Sequence, residues 1–237
     1  NKVNKSNSNN IDYYDRKKND NDDCKYNINN ANIGNNNHHS NDKNDNNRNK
    51  NITSNDIPNS GNVTKKSNSV YILGDSMLKK IEGYELTKMT KFKSKVKVRS
   101  YQNAKTRCMV DHIKPTIREE DVDHIIIHIG TNELLNKDKT PIQICNDIIN
   151  LSSSIKDQNI KVTISEIIPR NYNIAYHDKA LLVNEYLDNT YKNIGFDLIK
   201  HNNIKKENHL NAGNLHLNQK GRNILKYNFR RYLLSEN

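Results

Sequence analysis

The sequence lacks the patterns that mark several large classes of protein. No apolar run approaches the length of a membrane span, and no charged-then-apolar leader precedes residue 30. The three cysteines are widely spaced without a CxxC pair, and the histidines show no metal-ligand spacing such as HExxH. These absences argue against a disulfide framework and a metal site. We expect an intracellular, cytoplasmic protein, incomplete at its amino terminus because the first residue is Asn.

Apolar residues are also scarce. Hydrophobic residues make up 33% of the chain and the mean hydropathy is -1.01, which is too polar for a protein that folds along its whole length. Residues 1–68 are rich in Asn and carry no sustained apolar period. We therefore predict a disordered, low-complexity segment over residues 1–68 and a single folded domain over residues 69–237.

The net charge of +11 raises the question of nucleic-acid binding. The basic residues are spread along the chain and interleaved with acidic ones, and the densest cluster runs from Lys220 to Arg231. Abundant Lys, Asn and Ile are equally explained by codon bias in an A/T-rich gene. The charge alone therefore gives weak support to a nucleic-acid partner.

From Ser69 onward, short β-branched runs alternate with longer segments of helical period, which is typical of a parallel α/β sheet. The third run is the most apolar, so we expect it at the centre. The predicted strands are Ser69 to Leu73, Val96 to Ser100, His124 to Ile129, Lys161 to Ser165 and Phe196 to Lys200. The predicted helices are Met77 to Tyr84, Thr106 to Arg118, with Pro115 inside it, Pro141 to Lys156, capped by Thr140, His177 to Asn193 and Asn218 to Leu234.

The first strand ends in a Gly-Asp-Ser turn, Gly74 to Ser76, directly before a predicted helix. A serine at this point lies at the carboxyl edge of the sheet, where open α/β folds bind ligands. A purely structural alternative is that Asp75 or Ser76 is the helix N-cap. Polar loops also follow the second, third and fifth strands, so their side chains would face one crevice. Acyl transfer needs a nucleophile, a base and oxyanion donors, and these loops offer each type.

The blocks Gly74-Asp-Ser76, Gly130-Thr-Asn-Glu133 and Leu215-His-Leu-Asn218 stand in the order found in the SGNH or GDSL hydrolases, and residues 69 to 234 resemble that family. The resemblance implies a flavodoxin-like three-layer α/β/α sandwich and ester hydrolysis without a cofactor. It also implies Ser76 as nucleophile, His216 as general base and Asn132 as an oxyanion donor. The backbone N–H of Ser76 would be a second donor, with Gly74, Asp75 and Gly130 in supporting roles. Asp75 is expected to hydrogen-bond its own loop rather than to act as the triad acid.

Two departures from the family pattern affect the chemistry. Asn103 stands where the family has a glycine whose backbone N–H donates to the oxyanion. Asn keeps that N–H and is the non-glycine residue best able to take a positive φ. Gly213 stands three residues before the histidine, where the family has its acid. Ser76 and His216 could then still work slowly as a dyad, and the candidates for orienting the imidazole are a backbone carbonyl, Glu166 and Glu207.

The leading hypothesis is a serine esterase acting on a small ester, an O-acetyl or short acyl group, weakened by the loss of its acid. The alternative is a catalytically inactive SGNH-like binding module, since related domains occur in mobile-element proteins and a basic surface suits nucleic acid. A nucleotide-binding protein is disfavoured because the glycine-rich phosphate fingerprint is absent. The sequence leaves the oligomeric state open.

Overall fold

The computed structural model describes residues 68–156, 159–171 and 173–236. The segment predicted to be disordered lies outside these ranges except for Asn68, which begins the first strand. Among the helices of the described ranges, none has the length and apolar character needed to cross a membrane.

Five parallel strands form one sheet in the order β2-β1-β3-β4-β5. This is the flavodoxin-like order, and it confirms the predicted α/β fold. All five residues of the third strand are buried, as expected for the centre of the sheet. The strands are β1 (Asn68–Gly74), β2 (Ser94–Ser100), β3 (His124–His128), β4 (Lys161–Ser165) and β5 (Asp197–Ile199).

Alternating residues of the strands enter two separate apolar cores, one on each face of the sheet. Tyr71 and Leu73 join the core that contains residues of the second, third and fourth helices, whereas Val70 and Ile72 join the core that contains residues of the first and last helices. This arrangement is the predicted three-layer sandwich. The helices are α1 (Gly83–Met89), α2 (Thr106–Glu119), α3 (Pro141–Lys156), α4 (Ile174–Thr190), α5 (Lys206–His209) and α6 (Gln219–Ser235).

Side-chain caps set the starts of two helices that flank the site. Thr140 and Gln143 form a reciprocal capping box, in which Gln143 N donates to Thr140 Oγ1 at 3.3 Å and Thr140 N donates to Gln143 Oε1 at 2.8 Å. Asn218 Oδ1 accepts from Gly221 N at 2.9 Å and begins α6. Thr140 was predicted as a cap, and this is confirmed. Pro115 lies within α2, which continues to Glu119.

The predicted helix from Met77 to Tyr84 is wrong. The chain instead forms a single 3₁₀ turn, takes a left-handed conformation at Lys80 (φ 68°), and begins α1 only at Gly83. A Cβ at Gly83 would lie 2.4 Å from the carbonyl oxygen of Val96, so α1 starts in direct contact with the backbone of β2. This close approach, which requires glycine, sets where the helix begins. The short helices Glu133–Leu135 and Lys206–His209 were not predicted.

Polar side chains are also buried in the sheet, and three of them are histidines. His128 Nδ1 lies 2.9 Å from Ser165 Oγ, which lies 2.7 Å from His201 Nε2, and Asn228 Nδ2 lies 3.0 Å from His201 Nδ1. Burial is the main cause that lowers the pKa of His128 and His201, and it lowers the pKa of His124 to about 4. The fold therefore holds all three imidazoles in the neutral form near pH 7.

These lowered pKa values predict that the domain loses stability in mild acid. Below about pH 6.5 the unfolded chain binds protons at these histidines and the folded domain does not, so stability present above that pH is lost as the pH falls toward about 4. The free energy of unfolding, measured in urea, should fall between pH 7 and pH 5 by up to about 1.4 kcal/mol per histidine per pH unit. His201→Asn should show a smaller loss over this range. An equal loss in both proteins would contradict the assignment.

Candidate active site

The Gly-Asp-Ser turn is held between the carboxyl ends of the two neighbouring strands. Tyr101 N donates to Gly74 O at 2.8 Å, Asp75 N donates to His128 O at 3.1 Å, and Ser100 Oγ donates to Asp75 O at 2.9 Å. A Cβ at Gly74 would lie 2.0 Å from His128 O. Glycine is therefore required at this position because the backbones of β1 and β3 meet there.

Asp75 and Ser76 have different roles in this turn. Asp75 is fully buried and its Oδ1 accepts from Met77 N at 2.9 Å, which confirms that it hydrogen-bonds its own loop. Asp75 is also the N-cap of the 3₁₀ turn. Ser76 is the first residue of that turn and is half-buried, and its hydroxyl is not the cap. The structural alternative is thus correct for Asp75 and leaves the Ser76 hydroxyl available for chemistry.

The loop after β3 contributes Asn132 and Glu133, both buried. Asn132 Nδ2 donates to Ala104 O at 2.9 Å, which uses one of its two N–H groups and leaves the other for a ligand. Glu133 Oε1 accepts from Thr106 N and from Thr106 Oγ1, the latter at 2.9 Å. Burial raises the pKa of the Glu133 carboxyl. Both side chains therefore fix the loop between β2 and α2, a role that the sequence did not predict for Glu133.

Asn103 and Gly130, in the loops after β2 and β3, have positive φ. Asn103 has φ 57°, the left-handed conformation expected for the replacement of the family's glycine. Gly130 has φ 116°, and a Cβ there would lie 2.7 Å from Ile167 Cδ1, so no larger residue fits without displacement. The participation of the Asn103 backbone N–H in an oxyanion hole stays a prediction.

His216 lies in a loop organised by the side chain of Asn211. Asn211 Oδ1 accepts from the backbone N–H groups of Leu215 and His216, at 3.2 and 3.3 Å, and Asn211 N donates to His216 O at 2.7 Å. Leu210 and Leu217 close the loop as an antiparallel bridge. The backbone of His216 is thus fixed directly before α6. Asn211 belongs to the polar loop after the fifth strand, but its pairing with residues four and five positions later follows only from the folded backbone.

The ring of His216 is surrounded by more positive than negative charge. Burial is the largest cause that lowers its pKa, followed by the positive charge of Arg170; Asp75 opposes the shift and Lys79 adds to it. Asp75 and Lys79 flank Ser76 in sequence. The imidazole therefore lies close enough to the Gly-Asp-Ser turn for these charges to act on it.

No carboxylate of the described residues orients this imidazole. His216 Nδ1 is buried and has no hydrogen-bond partner there, neither a carboxylate nor a backbone carbonyl. Glu166 Oε2 accepts from His201 N at 2.8 Å, and Glu207 is exposed on α5. The expectation that Glu166, Glu207 or a carbonyl orients the ring is therefore wrong.

The position of the missing acid is open. Gly213 is exposed and lies outside the left-handed region, and a Cβ there would meet only Asn211 Oδ1, at 3.7 Å. A side chain at residue 213 therefore fits without strain. Within the described ranges, no group of three or more His, Cys, Asp or Glu residues is arranged to hold a metal ion.

Arg170 was not predicted, because it lies in the loop after β4, whereas the predicted site residues lie in the loops after the other four strands. Its side chain is 6% exposed, and its charge acts on His216. Arginine is mostly exposed in proteins, so its burial here could be found only from the packed structure.

Solved structures with the same architecture are lipases and acylhydrolases. A lipase/acylhydrolase from Enterococcus faecalis superposes with a TM-score of 0.57 and 14% identity, over 71% of this chain and 96% of that one. A GDSL-like lipase from Bacteroides thetaiotaomicron gives a TM-score of 0.58 and 12% identity, over 73% and 91%. A lipolytic G-D-S-L family protein from Veillonella parvula gives 0.57 and 16%, over 68% and 96%.

No protein-family model matches the sequence, and no curated protein matches it. The likeness to solved structures therefore rests on the arrangement of strands and helices, at sequence identities too low to carry more than the fold. The likeness shows that the chain has the SGNH/GDSL hydrolase fold.

Proposed function

We propose that the chain is a serine esterase that cleaves a small O-acetyl or short acyl ester, with Ser76 as nucleophile and His216 as general base. The observation that supports this most is the half-buried imidazole of His216, on which the charges of Asp75 and Lys79 near Ser76 act. Met77 and Leu217, the residues after Ser76 and His216, also belong to one buried apolar cluster. A nucleophile with an adjacent base is the arrangement that acyl transfer requires. Asn132, with one N–H unused by the loop, adds an oxyanion donor.

In the proposed reaction, Ser76 Oγ attacks the ester carbonyl carbon as His216 Nε2 accepts its proton. The oxyanion of the tetrahedral intermediate accepts hydrogen bonds from Asn132 Nδ2 and from the backbone N–H groups of Ser76 and Asn103. The bond from carbon to the alcohol oxygen then breaks, and His216 returns the proton to the departing alcohol. Water attacks the acyl-enzyme, with His216 again as base, and releases the carboxylic acid and free Ser76.

The charge around His216 sets how fast this reaction can be. Its lowered pKa keeps the imidazole neutral, and so able to accept a proton, at pH 7. The same surroundings disfavour the imidazolium that forms during attack, and the unpartnered Nδ1 leaves the tautomer unfixed. We therefore propose a slow esterase.

The unpartnered Nδ1 equally supports a second candidate, an inactive SGNH-like binding module. A binding module that recognises nucleic acid has less support, because basic side chains of the cluster from Lys220 to Arg231 form hydrogen bonds and an ion pair within the domain. Arg222 donates to Leu217 O at 2.8 Å, Arg230 donates to Met89 O at 3.0 Å, and Lys226 pairs with Glu85 at 2.5 Å.

A serine-reactive fluorophosphonate separates the two candidates. An activated Ser76 should be labelled, and mass spectrometry of the digested protein should find the adduct on the peptide that contains it. Ser76→Ala should abolish labelling, and Ser153→Ala, at an exposed serine of α3, should not. No adduct at Ser76, under conditions that label a known esterase, would contradict the proposed function. RNA binding that weakens with salt and is unchanged in Ser76→Ala would then favour the binding module.

Asn132→Ala tests the oxyanion donor. The amide meets the oxyanion only near the transition state, so kcat should fall by about 10²-fold or more with a smaller change in KM. Because Asn132 also holds Ala104 O, the melting temperature must be measured alongside. A loss of activity that only parallels a loss of folded protein would assign Asn132 to loop support alone.

Gly213→Asp tests the missing acid. The new carboxylate should pair with His216 Nδ1, fix its tautomer, raise its pKa, and increase kcat on a short-chain aryl ester by as much as about 10³-fold. Gly213→Asn is the matched control, because it has the same size without the charge, and it should show little gain. A folded Gly213→Asp protein that remains as slow as Gly213→Asn would contradict the tautomer argument, and Ser76→Ala should erase any gain.

A further inference from the structure

Arg170 is a buried cation with no counterion among the described residues. Its side chain is 6% exposed, and its Nε is buried without a hydrogen-bond partner. Over residues 68–156, 159–171 and 173–236, no carboxylate forms an ion pair with its guanidinium. Arginine stays protonated in proteins, and a buried charge left unpaired is strongly destabilising. The domain therefore carries a cost at this residue that no protein group of the described ranges offsets.

Arg170 lies next to the loop that carries His216. Asn171 N, the next residue along, donates to Asn214 O at 3.1 Å, which joins the loop after β4 to the loop that carries His216. Among charged groups, Arg170 has the largest effect on the pKa of His216, which it lowers. Arg170 and the candidate base His216 thus lie on two loops that are joined to each other.

The loop that carries Arg170 is fixed in place. Ile167 N donates to Asn184 Oδ1 at 2.9 Å, and Asn184 Nδ2 donates back to Ile167 O at 2.8 Å. Glu166 N donates to Ile199 O at 3.0 Å. The segment is therefore anchored next to β4, and the hydrogen bond from Asn171 N to Asn214 O holds its other end. Binding a ligand at the guanidinium would require little ordering of this loop.

Among the described residues, no acidic group pairs with Arg170. Asp75 Oδ1 accepts from Met77 N and its Oδ2 is buried without a hydrogen-bond partner, and Glu166 Oε2 accepts from His201 N. The position where an acid would precede His216 is Gly213, and exposed Lys79 adds further positive charge. The crevice therefore has an excess of positive charge next to the candidate base.

We propose that Arg170 is an anion-binding residue of the active site, and that the ester substrate carries an oxyanion group, a carboxylate or a phosphate, near its acyl bond. This inference rests on the proposed esterase function and adds the class of substrate. A guanidinium offers a planar fork of N–H donors that matches either oxyanion, and it is more easily stripped of water than an ammonium group. An oxyanion at this place would supply the counterion that no described residue provides.

A pair of matched esters tests this substrate class. The neutral 4-nitrophenyl pentanoate and the 4-nitrophenyl half-ester of glutaric acid have acyl chains of equal length, and the second ends in a carboxylate. The wild-type protein should show a higher kcat/KM for the half-ester. Arg170→Gln should lower the ratio of the two kcat/KM values by about 10- to 100-fold. Arg170→Lys keeps the charge without the planar fork of donors, so its ratio should lie between those of the wild-type protein and Arg170→Gln. Arg118→Gln, at an exposed arginine of α2, removes the same charge and should leave the ratio unchanged.

Glutarate and inorganic phosphate, tested as inhibitors of pentanoate hydrolysis, distinguish the two oxyanions, since the better-matched one should inhibit at lower concentration. Two results would overturn this inference and leave the esterase proposal intact. The wild-type protein could hydrolyse both esters without preference for the half-ester, or the ratio of the two kcat/KM values could be the same in Arg170→Gln as in the wild-type protein. If neither ester is cleaved, the proposed function fails instead. The inference is then decided by NMR of Ser76→Ala: the Nε–H signal that Arg170→Lys removes should shift with glutarate or phosphate, and no shift with either would overturn it.

Discussion

The contact between Gly74 and the carbonyl oxygen of His128 fixes the site. A Cβ at residue 74 would lie 2.0 Å from that oxygen, so the backbones of β1 and β3 meet only because residue 74 is glycine. The same contact lets Asp75 N donate to His128 O, and it sets the point at which the chain leaves the sheet. The position of Ser76 follows from this register. The glycine of the motif is thus required by the packing of two strands, independently of any chemistry at the serine.

Polar side chains behind this contact join the sheet to α6. The chain of contacts from His128 through Ser165 and His201 to Asn228 crosses from the centre of the sheet to the last helix. Asn228 also exchanges amide hydrogen bonds with Asn203, at 2.8 and 2.9 Å. These hydrogen bonds form in one arrangement of the helix on the sheet, so they specify how α6 is placed, and they leave His128 Nε2 without a partner among the described residues. Because His216 immediately precedes α6, the network also fixes where the candidate base enters the crevice.

The sequence predicted the parts of this site that depend on local pattern. The five strands, the cap at Thr140 and the turn before Ser76 follow from periodicity and short-range chemistry, and the structure contains them. The first helix was misplaced because an apolar period continued past Ser76, whereas the chain is redirected by its contact with Val96. Glu133, Asn211 and Arg170 were missed for a related reason. Each acts on a partner brought near by the fold, and nothing in their neighbouring residues indicates that partner.

The charge around His216 connects the missing acid with the unpaired arginine. In a serine triad, a carboxylate stabilises the imidazolium that forms as the nucleophile is deprotonated. Here Arg170 acts in the opposite direction, since its charge lowers the pKa of His216 and disfavours that imidazolium. An anion bound to Arg170 would cancel much of this effect and make His216 a stronger base only while substrate is present. The substrate's own charge would then supply part of the electrostatic stabilisation that the protein lacks at Gly213, and a neutral ester would meet a weak base.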